Sequence, residues 1–133
     1  MEPSVYDLTY NDLNPRFLFC CNLLRTEPEM NYHCHDFIEF VLILKGKTTF
    51  RIDEKLYDVE EGSVILLNPG TYHQSLPAAG TSAREVYLAF SNVEFAGCTR
   101  GHFPLFKNYQ LLATLPDSYK EPLFRLCNLM EQE

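Results

Sequence analysis

The sequence has no excess of basic residues and no long apolar run. Its 133 residues include 11 Lys and Arg against 18 Asp and Glu, a formal net charge of −7. That sign repels phosphate backbones, so we do not expect this chain to bind nucleic acid directly. No stretch approaches the ~18 consecutive apolar residues of a membrane span. The composition therefore excludes a direct nucleic-acid partner and a membrane-spanning segment.

The sequence also predicts neither an export signal nor paired cysteines. The opening Met-Glu-Pro-Ser-Val-Tyr-Asp has neither a basic start nor an apolar core, so we predict no signal peptide and a cytoplasmic location. Without CxxC spacing, the odd number of cysteines predicts reduced thiols. Redox sensing by Cys20 and Cys21 is an alternative, but their apolar neighbours favour packing. The five cysteines are Cys20, Cys21, Cys34, Cys98 and Cys127.

Turn signals recur about every 8 to 12 residues, which favours an antiparallel sandwich or barrel within a single domain. Lys45-Gly46-Lys47 predicts a tight turn, and Asp53-Glu54-Lys55 predicts a hairpin. At least six short strands are expected before residue 92. They cover residues 17–24, 33–44, 48–52, 56–59, 63–67 and 85–91.

The last part of the chain has the periodicity of an amphipathic helix, with a start either at Ser118 or near Pro122. Its apolar stripe is too hydrophobic to remain in water unless the barrel covers it, and we assign it to a homodimer interface. The stripe consists of Leu123, Leu126, Cys127 and Met130.

One stretch, residues 33–46, combines polar groups with an apolar strand. Apart from Glu39, residues 38–44 are all apolar, which predicts a strand covered on both faces. Side chains alternate across a strand, so His33, His35 and Glu39 should point to one face. We expect them to converge where a small ligand or a metal could bind.

Two spacings resemble the signatures of the cupin superfamily. The first is His33-x-His35-x3-Glu39-x6-Gly46, and the second is Gly62-x5-Asn68-Pro69-Gly70-x2-His73. The resemblance implies that the effector pocket, and any metal site, consists of His33, His35, Glu39 and His73. Asn68 stands where the second signature usually has proline, and Pro77 where it usually has asparagine, so we expect a different pocket rim.

Three imidazoles and one carboxylate would suit one divalent transition metal, Zn, Ni, Mn or Fe, with one or two coordination positions left open. The same groups also hydrogen-bond sugars and organic acids, so the sequence leaves open whether a metal is bound. Cys34 should point to the opposite face of the strand, and we exclude it as a ligand.

The motifs and their flanks together resemble the N-terminal sensing domain of AraC-type transcription regulators. Residues 33–46, the strand and turn at 62–69, Tyr87–Ser91 and the C-terminal helix carry this resemblance. It implies a barrel that binds a small polar effector, either a sugar or an organic acid, and helices that form a homodimer. DNA binding would belong to a separate C-terminal domain that these 133 residues do not include.

We therefore predict a mainly β fold, a cupin-type antiparallel β-barrel or jelly roll with a C-terminal amphipathic helix. Residues 1–116 would form the effector-binding barrel with an N-terminal arm, and residues 117–133 the start of the dimerisation helix. Met130 to Glu133 contain no helix cap, so we expect the natural chain to continue.

The sensing function implies no catalytic residue. The alternative is a stand-alone metal-dependent cupin enzyme, a dioxygenase or a sugar isomerase, with the same four residues as metal ligands. Purified protein that carries iron or manganese and consumes oxygen or isomerises a sugar would favour this enzyme function.

Overall fold

The computed structural model describes residues 15–93, 101–102 and 112–131. The predicted N-terminal arm and Cys98 lie outside them. The strands are β1 (Arg16–Arg25), β2 (Ile38–Ile52), β3 (Lys55–Glu60), β4 (Ser63–Leu67), β5 (His73–Ser75), β6 (Ala83–Ser91) and β7 (Leu112–Thr114), and the helix is α1 (Asp117–Glu131). The prediction of a mainly β fold with a C-terminal helix is confirmed.

The long strand β2 belongs to two sheets. Its first half pairs with β4 and β6, and its second half pairs with β3 and β5, always antiparallel. β1 and β7 extend the first sheet, whose strand order is β1-β6-β2-β4-β7. The two sheets are therefore joined through one continuous strand, and their inner faces enclose the core.

The tight turn predicted at Lys45-Gly46-Lys47 is wrong, because β2 continues through these residues. The strand changes direction there: its register with β6 shifts between Ile43 and Lys45, and Gly46 has a φ of +80°. A bulge with a left-handed glycine bends a strand without ending it. The local turn signal thus marks the point where β2 passes from one sheet to the other.

The central strands of the first sheet, β4, β6 and the first half of β2, are buried on both faces. The core between the two sheets contains Val41, Ile43, Phe50, Ile52, Val59, Ile65, Leu67, Ala83 and Tyr87. On the other face, α1 covers Leu42, Val86 and Leu88. This arrangement explains the nearly continuous apolar run in the first half of β2, where Val41 and Ile43 face the core and Leu42 faces the helix.

Helix α1 begins at Asp117, close to the first of the two predicted starts, Ser118, and it includes the second, Pro122, in its interior. Pro122 has no N–H to donate to the helix, so one backbone hydrogen bond is lost in the second turn. Among the described residues, no helix is both long and apolar enough to cross a membrane.

Candidate metal centre

Three histidines meet at the end of the barrel where β2 begins and ends. Metal-binding atoms of His33, His35 and His73 all lie within 4.8 Å of one another. Glu39 faces two of them, with Oε1 at 3.5 Å from Nε2 of His73 and Oε2 at 3.8 Å from Nε2 of His35. The structure therefore brings together the four residues that the two sequence signatures singled out.

The reason for this convergence differs from the prediction. His33 and His35 precede β2, which begins at Ile38, so strand alternation does not orient them. His33 instead forms an isolated antiparallel bridge with His73, in which each backbone N–H donates to the other residue's carbonyl, at N–O distances of 3.1 and 2.8 Å. The loop before β2 is thus held directly against the start of β5.

Backbone carbonyls determine the protonation of two of the imidazoles. Nδ1 of His33 lies 2.9 Å from the carbonyl oxygen of Asn31, and Nδ1 of His73 lies 2.9 Å from that of Thr71. A carbonyl oxygen only accepts, so each Nδ1 carries a hydrogen and each neutral ring keeps its lone pair on Nε2. Metal-binding histidines are commonly oriented by this type of hydrogen bond.

His73 is the most constrained member of the cluster. Its side chain is 2% exposed, and its Nε2 has no hydrogen-bond partner among the described residues. A buried polar atom left unpaired costs ~1 to 3 kcal/mol. A cation among the three imidazoles and Glu39 would satisfy this nitrogen, so the donor set fits a metal.

The histidines differ in their affinity for protons. Burial lowers the pKa of His73, but the nearby Glu39 carboxylate and the Thr71 carbonyl outweigh burial, so the pKa is raised overall. Burial lowers the pKa of His35, assisted by the charges of His33 and His73 and opposed by Glu39. In the metal-free protein, His73 therefore holds a proton in preference to His35.

Two neighbours of the cluster were not identified from the sequence. Oε2 of Glu29 lies 4.0 Å from Nδ1 of His33, and the ring of Phe37 stacks on His35, with centroids 4.6 Å apart and an interplanar angle of 8°. Glu29 is held in place by β5, because its Oε1 accepts the backbone N–H of Ser75 at 2.8 Å. This contact joins residues 46 positions apart, and no local pattern reveals it.

Most of the helical stripe assigned to dimerisation packs against the barrel of the same chain. Cys127 is 1% exposed, and Leu123 and Met130 pack with it against the first sheet. Burial raises the pKa of the Cys127 thiol to about 11, which keeps it protonated and unreactive. Leu126 is 54% exposed and, with Leu129 at 55%, lies on the surface of the helix. Together with Tyr119, which is 61% exposed, they are the exposed large hydrophobic residues of α1.

A family described as the AraC-like ligand binding domain matches residues 19–133 of this chain. A curated relative is an uncharacterized HTH-type transcriptional regulator, YdeC, from Bacillus subtilis (strain 168). The two are 39% identical over 59 residues, which cover 44% of this chain and 20% of that regulator. The match thus spans only a small part of the relative's length.

Three solved structures are similar to the chain. The polyketide cyclase RemF from Streptomyces resistomycificus is 16% identical, with a TM-score of 0.50 over 74% of this chain and 77% of that one. A predicted oxalate decarboxylase from Thermotoga maritima is 17% identical, with a TM-score of 0.50 over 55% and 65%. A cupin protein from Bacteroides fragilis is 20% identical, with a TM-score of 0.46 over 63% and 69%. Identities at this level show a likeness of fold alone.

Proposed function

The chain belongs to the AraC-like ligand binding domain family, as the resemblance in its sequence predicted, and from this membership we propose that it senses a small effector for a transcription regulator. Its fold is the predicted cupin-type jelly roll. In our proposal, His33, His35, His73 and Glu39 hold one divalent transition metal, and the effector binds beside it.

The observation that carries this proposal is the buried, unpartnered Nε2 of His73. Water alone could satisfy it, but three imidazoles and a carboxylate around one point form the donor set that Zn, Ni, Mn or Fe prefer. When bound, the metal would act as a Lewis acid towards an oxygen atom of the effector. We therefore favour a small effector with carboxylate or hydroxyl oxygens, an organic acid or a sugar.

The proposal also covers the rest of the regulator. We infer that the chain forms a homodimer through α1 and that a separate C-terminal domain binds DNA. The net charge of −7 supports this division, because an acidic domain gains nothing from phosphate contacts. The whole protein would act in the cytoplasm.

Metal content of the purified protein tests the proposed centre. After loading with Zn, Ni, Mn or Fe and removal of excess metal, elemental analysis should find one ion per chain. His35→Ala should lose it, and Glu39→Gln should bind it at least about tenfold more weakly, since each removes a ligand. His102→Ala is the matched control, because the fourth histidine lies outside the cluster. Wild-type protein that retains no metal would refute the metal centre.

The same donor set would also suit a metal-dependent enzyme, which is the competing function. Loaded protein should then consume oxygen or isomerise a sugar, and His35→Ala should stop the turnover. A sensor instead binds its effector without converting it. Saturable binding with no product, followed by NMR of the ligand, would support the sensor.

A further inference from the structure

A cavity lies away from the histidines, at the end of the barrel where β2 bends. Its volume is ≈ 550 Å³, within the usual range for small-molecule sites. The second half of β2, β3, the start of β4, the loop at residues 78–81 and the end of β7 form its wall. None of the four residues of the metal centre lines it.

The wall of this bend cavity is rich in hydroxyl groups. Two of them are buried, Thr48 at 5% and Ser63 at 6% exposure, and they come from facing sheets. Thr81 and Thr114 add hydroxyls from the loop and from β7. Ser63 Oγ already accepts the N–H of Glu60 at 3.1 Å, and Thr81 Oγ1 donates to the carbonyl of Ala78 at 2.6 Å. Each hydroxyl keeps further donor or acceptor capacity, so a wall of this kind favours a ligand with several donors and acceptors.

A buried network fixes the orientation of the Thr48 hydroxyl. Oγ of Ser75 donates to Oε2 of Glu85 at 2.7 Å, because a carboxylate oxygen only accepts. Ser75 has no second hydrogen, so in the 3.0 Å contact between the two hydroxyls Thr48 must be the donor. Thr48 is therefore left with acceptor lone pairs for a ligand.

Glu85 anchors this network at the centre of the barrel. Its side chain is fully buried, and Oε1 accepts from the hydroxyl of Tyr87 at 2.6 Å and from Nε of Arg25 at 3.3 Å. Burial raises the pKa of Tyr87, so this hydroxyl keeps its hydrogen as a donor. The orientation of Thr48 is thus preorganised by groups that the cavity itself does not expose.

Charges around the bend cavity exclude some classes of ligand. Lys47 contributes one positive charge, and Asp58 and Glu60 contribute two negative charges. The net negative charge disfavours an organic anion, and Lys47 disfavours a cation next to it, whereas carboxylates and hydroxyls together can hydrogen-bond neighbouring alcohol groups. We propose that the bend cavity is a second binding site, specific for a small uncharged polyol of monosaccharide size.

The bend cavity lies next to the segment that leads into the start of helix α1. Thr114 lies in its wall, and the next residue, Leu115, donates its N–H to the carbonyl of Gly62 at 2.7 Å. A polyol held between Thr48 and Thr114 would link the core sheets to the segment that leads into Asp117. Occupancy should therefore slow hydrogen exchange at the start of α1.

Titration of ¹⁵N-labelled chain with D-glucose, D-xylose, myo-inositol and sorbitol tests the site. Polyols stabilise proteins non-specifically at high concentration, so saturable shifts at residues 47–63 and 78–81 are the required result. Thr48→Val and Thr114→Val should each raise Kd at least about tenfold, since both remove a hydroxyl without changing shape greatly. Thr114 is exposed, so its variant remains informative even if Thr48→Val unfolds the barrel.

Two control variants test whether the polyol binds in the bend cavity and nowhere else. Thr26→Val removes an exposed hydroxyl outside the cavity and should leave Kd unchanged. His35→Ala disrupts the metal centre and should also leave polyol binding unchanged, so failure of the metal proposal would not affect this one. Shifts that never saturate with any of the four polyols would overturn the proposal. Binding that survives both threonine variants but disappears in His35→Ala would do the same.

Discussion

Nε2 of His73 lies 3.5 Å from Oε1 of Glu39, and the two side chains are only 2% and 4% exposed. A carboxylate is costly to bury alone, and so is an imidazole nitrogen without a partner. When no metal is bound, protonation of Nε2 turns the two groups into an ion pair in which each charge stabilises the other. With a metal, both side chains would become its ligands. The site would therefore have two states, a metal-free ion pair and a metal complex.

We expect the metal-free protein to show a pH-dependent stability that comes from this pair. The folded-state pKa of His73 is raised above 6.5, so the folded chain holds the proton more tightly than the unfolded chain. The stabilisation is fully present below the unfolded pKa of ~6.5 and is lost as the pH rises through the folded value.

Urea unfolding in the presence of a chelator, from about pH 5.5 to 8, measures this effect. Wild type should exceed His73→Gln in unfolding free energy by more at low pH than at high pH. His35, whose pKa is lowered in part by the charge of His73, contributes with the opposite sign, so the same comparison in a His35→Gln background isolates His73. A difference that increases with pH would show that Glu39 does not stabilise the charged imidazole.

Removal of Arg25 should destabilise the barrel because it leaves the Glu85 carboxylate without its countercharge. Arg25→Met should cost roughly 3 kcal/mol in unfolding free energy, the usual effect of breaking a buried ion pair. Arg125→Met is the control, since its pair with Glu121 is exposed and should contribute less than about 1 kcal/mol. Equal effects in denaturant unfolding would mean that burial does not strengthen the Glu85 pair.

Gly46 should tolerate alanine much less well than Gly80. Both have a left-handed backbone, with φ of +80° and +79°, so each substitution should cost about 1 kcal/mol in strain. A Cβ at Gly46 would also overlap the carbonyl of Ser82, whereas at Gly80 nothing lies within 4 Å. Gly46→Ala should therefore lose at least about 2 kcal/mol more. Thermal unfolding of the two variants measures the difference, and similar melting temperatures would argue against a crowded bend.

If α1 forms the homodimer, Leu126 and Leu129 should carry it. Leu126→Ser with Leu129→Ser should convert a dimer into a folded monomer, because both side chains are more than half exposed in the single chain. Asn128→Ser, a polar change at an exposed position of the same helix, should leave the dimer intact. Sedimentation equilibrium at tens of micromolar distinguishes the states. A wild-type monomer at that concentration would count against the dimer.

Sequence patterns located the longer strands except β2, which they divided into two, and they missed the shortest ones. Periodicity and turn residues are visible in β1, β3, β4 and β6, each five residues or longer. β5 and β7 have three residues each, too few for alternation to be detected. The bend at Gly46 was predicted as a turn because a glycine with positive φ is typical both of tight turns and of bulges within a continuous strand.

By itself, the sequence determined the class of fold, the family and the identity of the four polar residues, because spacing and residue type are local properties. Tertiary structure decided how those residues meet: the bridge between His33 and His73 orients the cluster, and strand alternation does not apply to His33. It also decided that Cys127 packs inside the chain and that Glu85 is buried with Arg25. These contacts join residues tens to a hundred positions apart, so only the folded chain brings them within hydrogen-bonding or van der Waals distance.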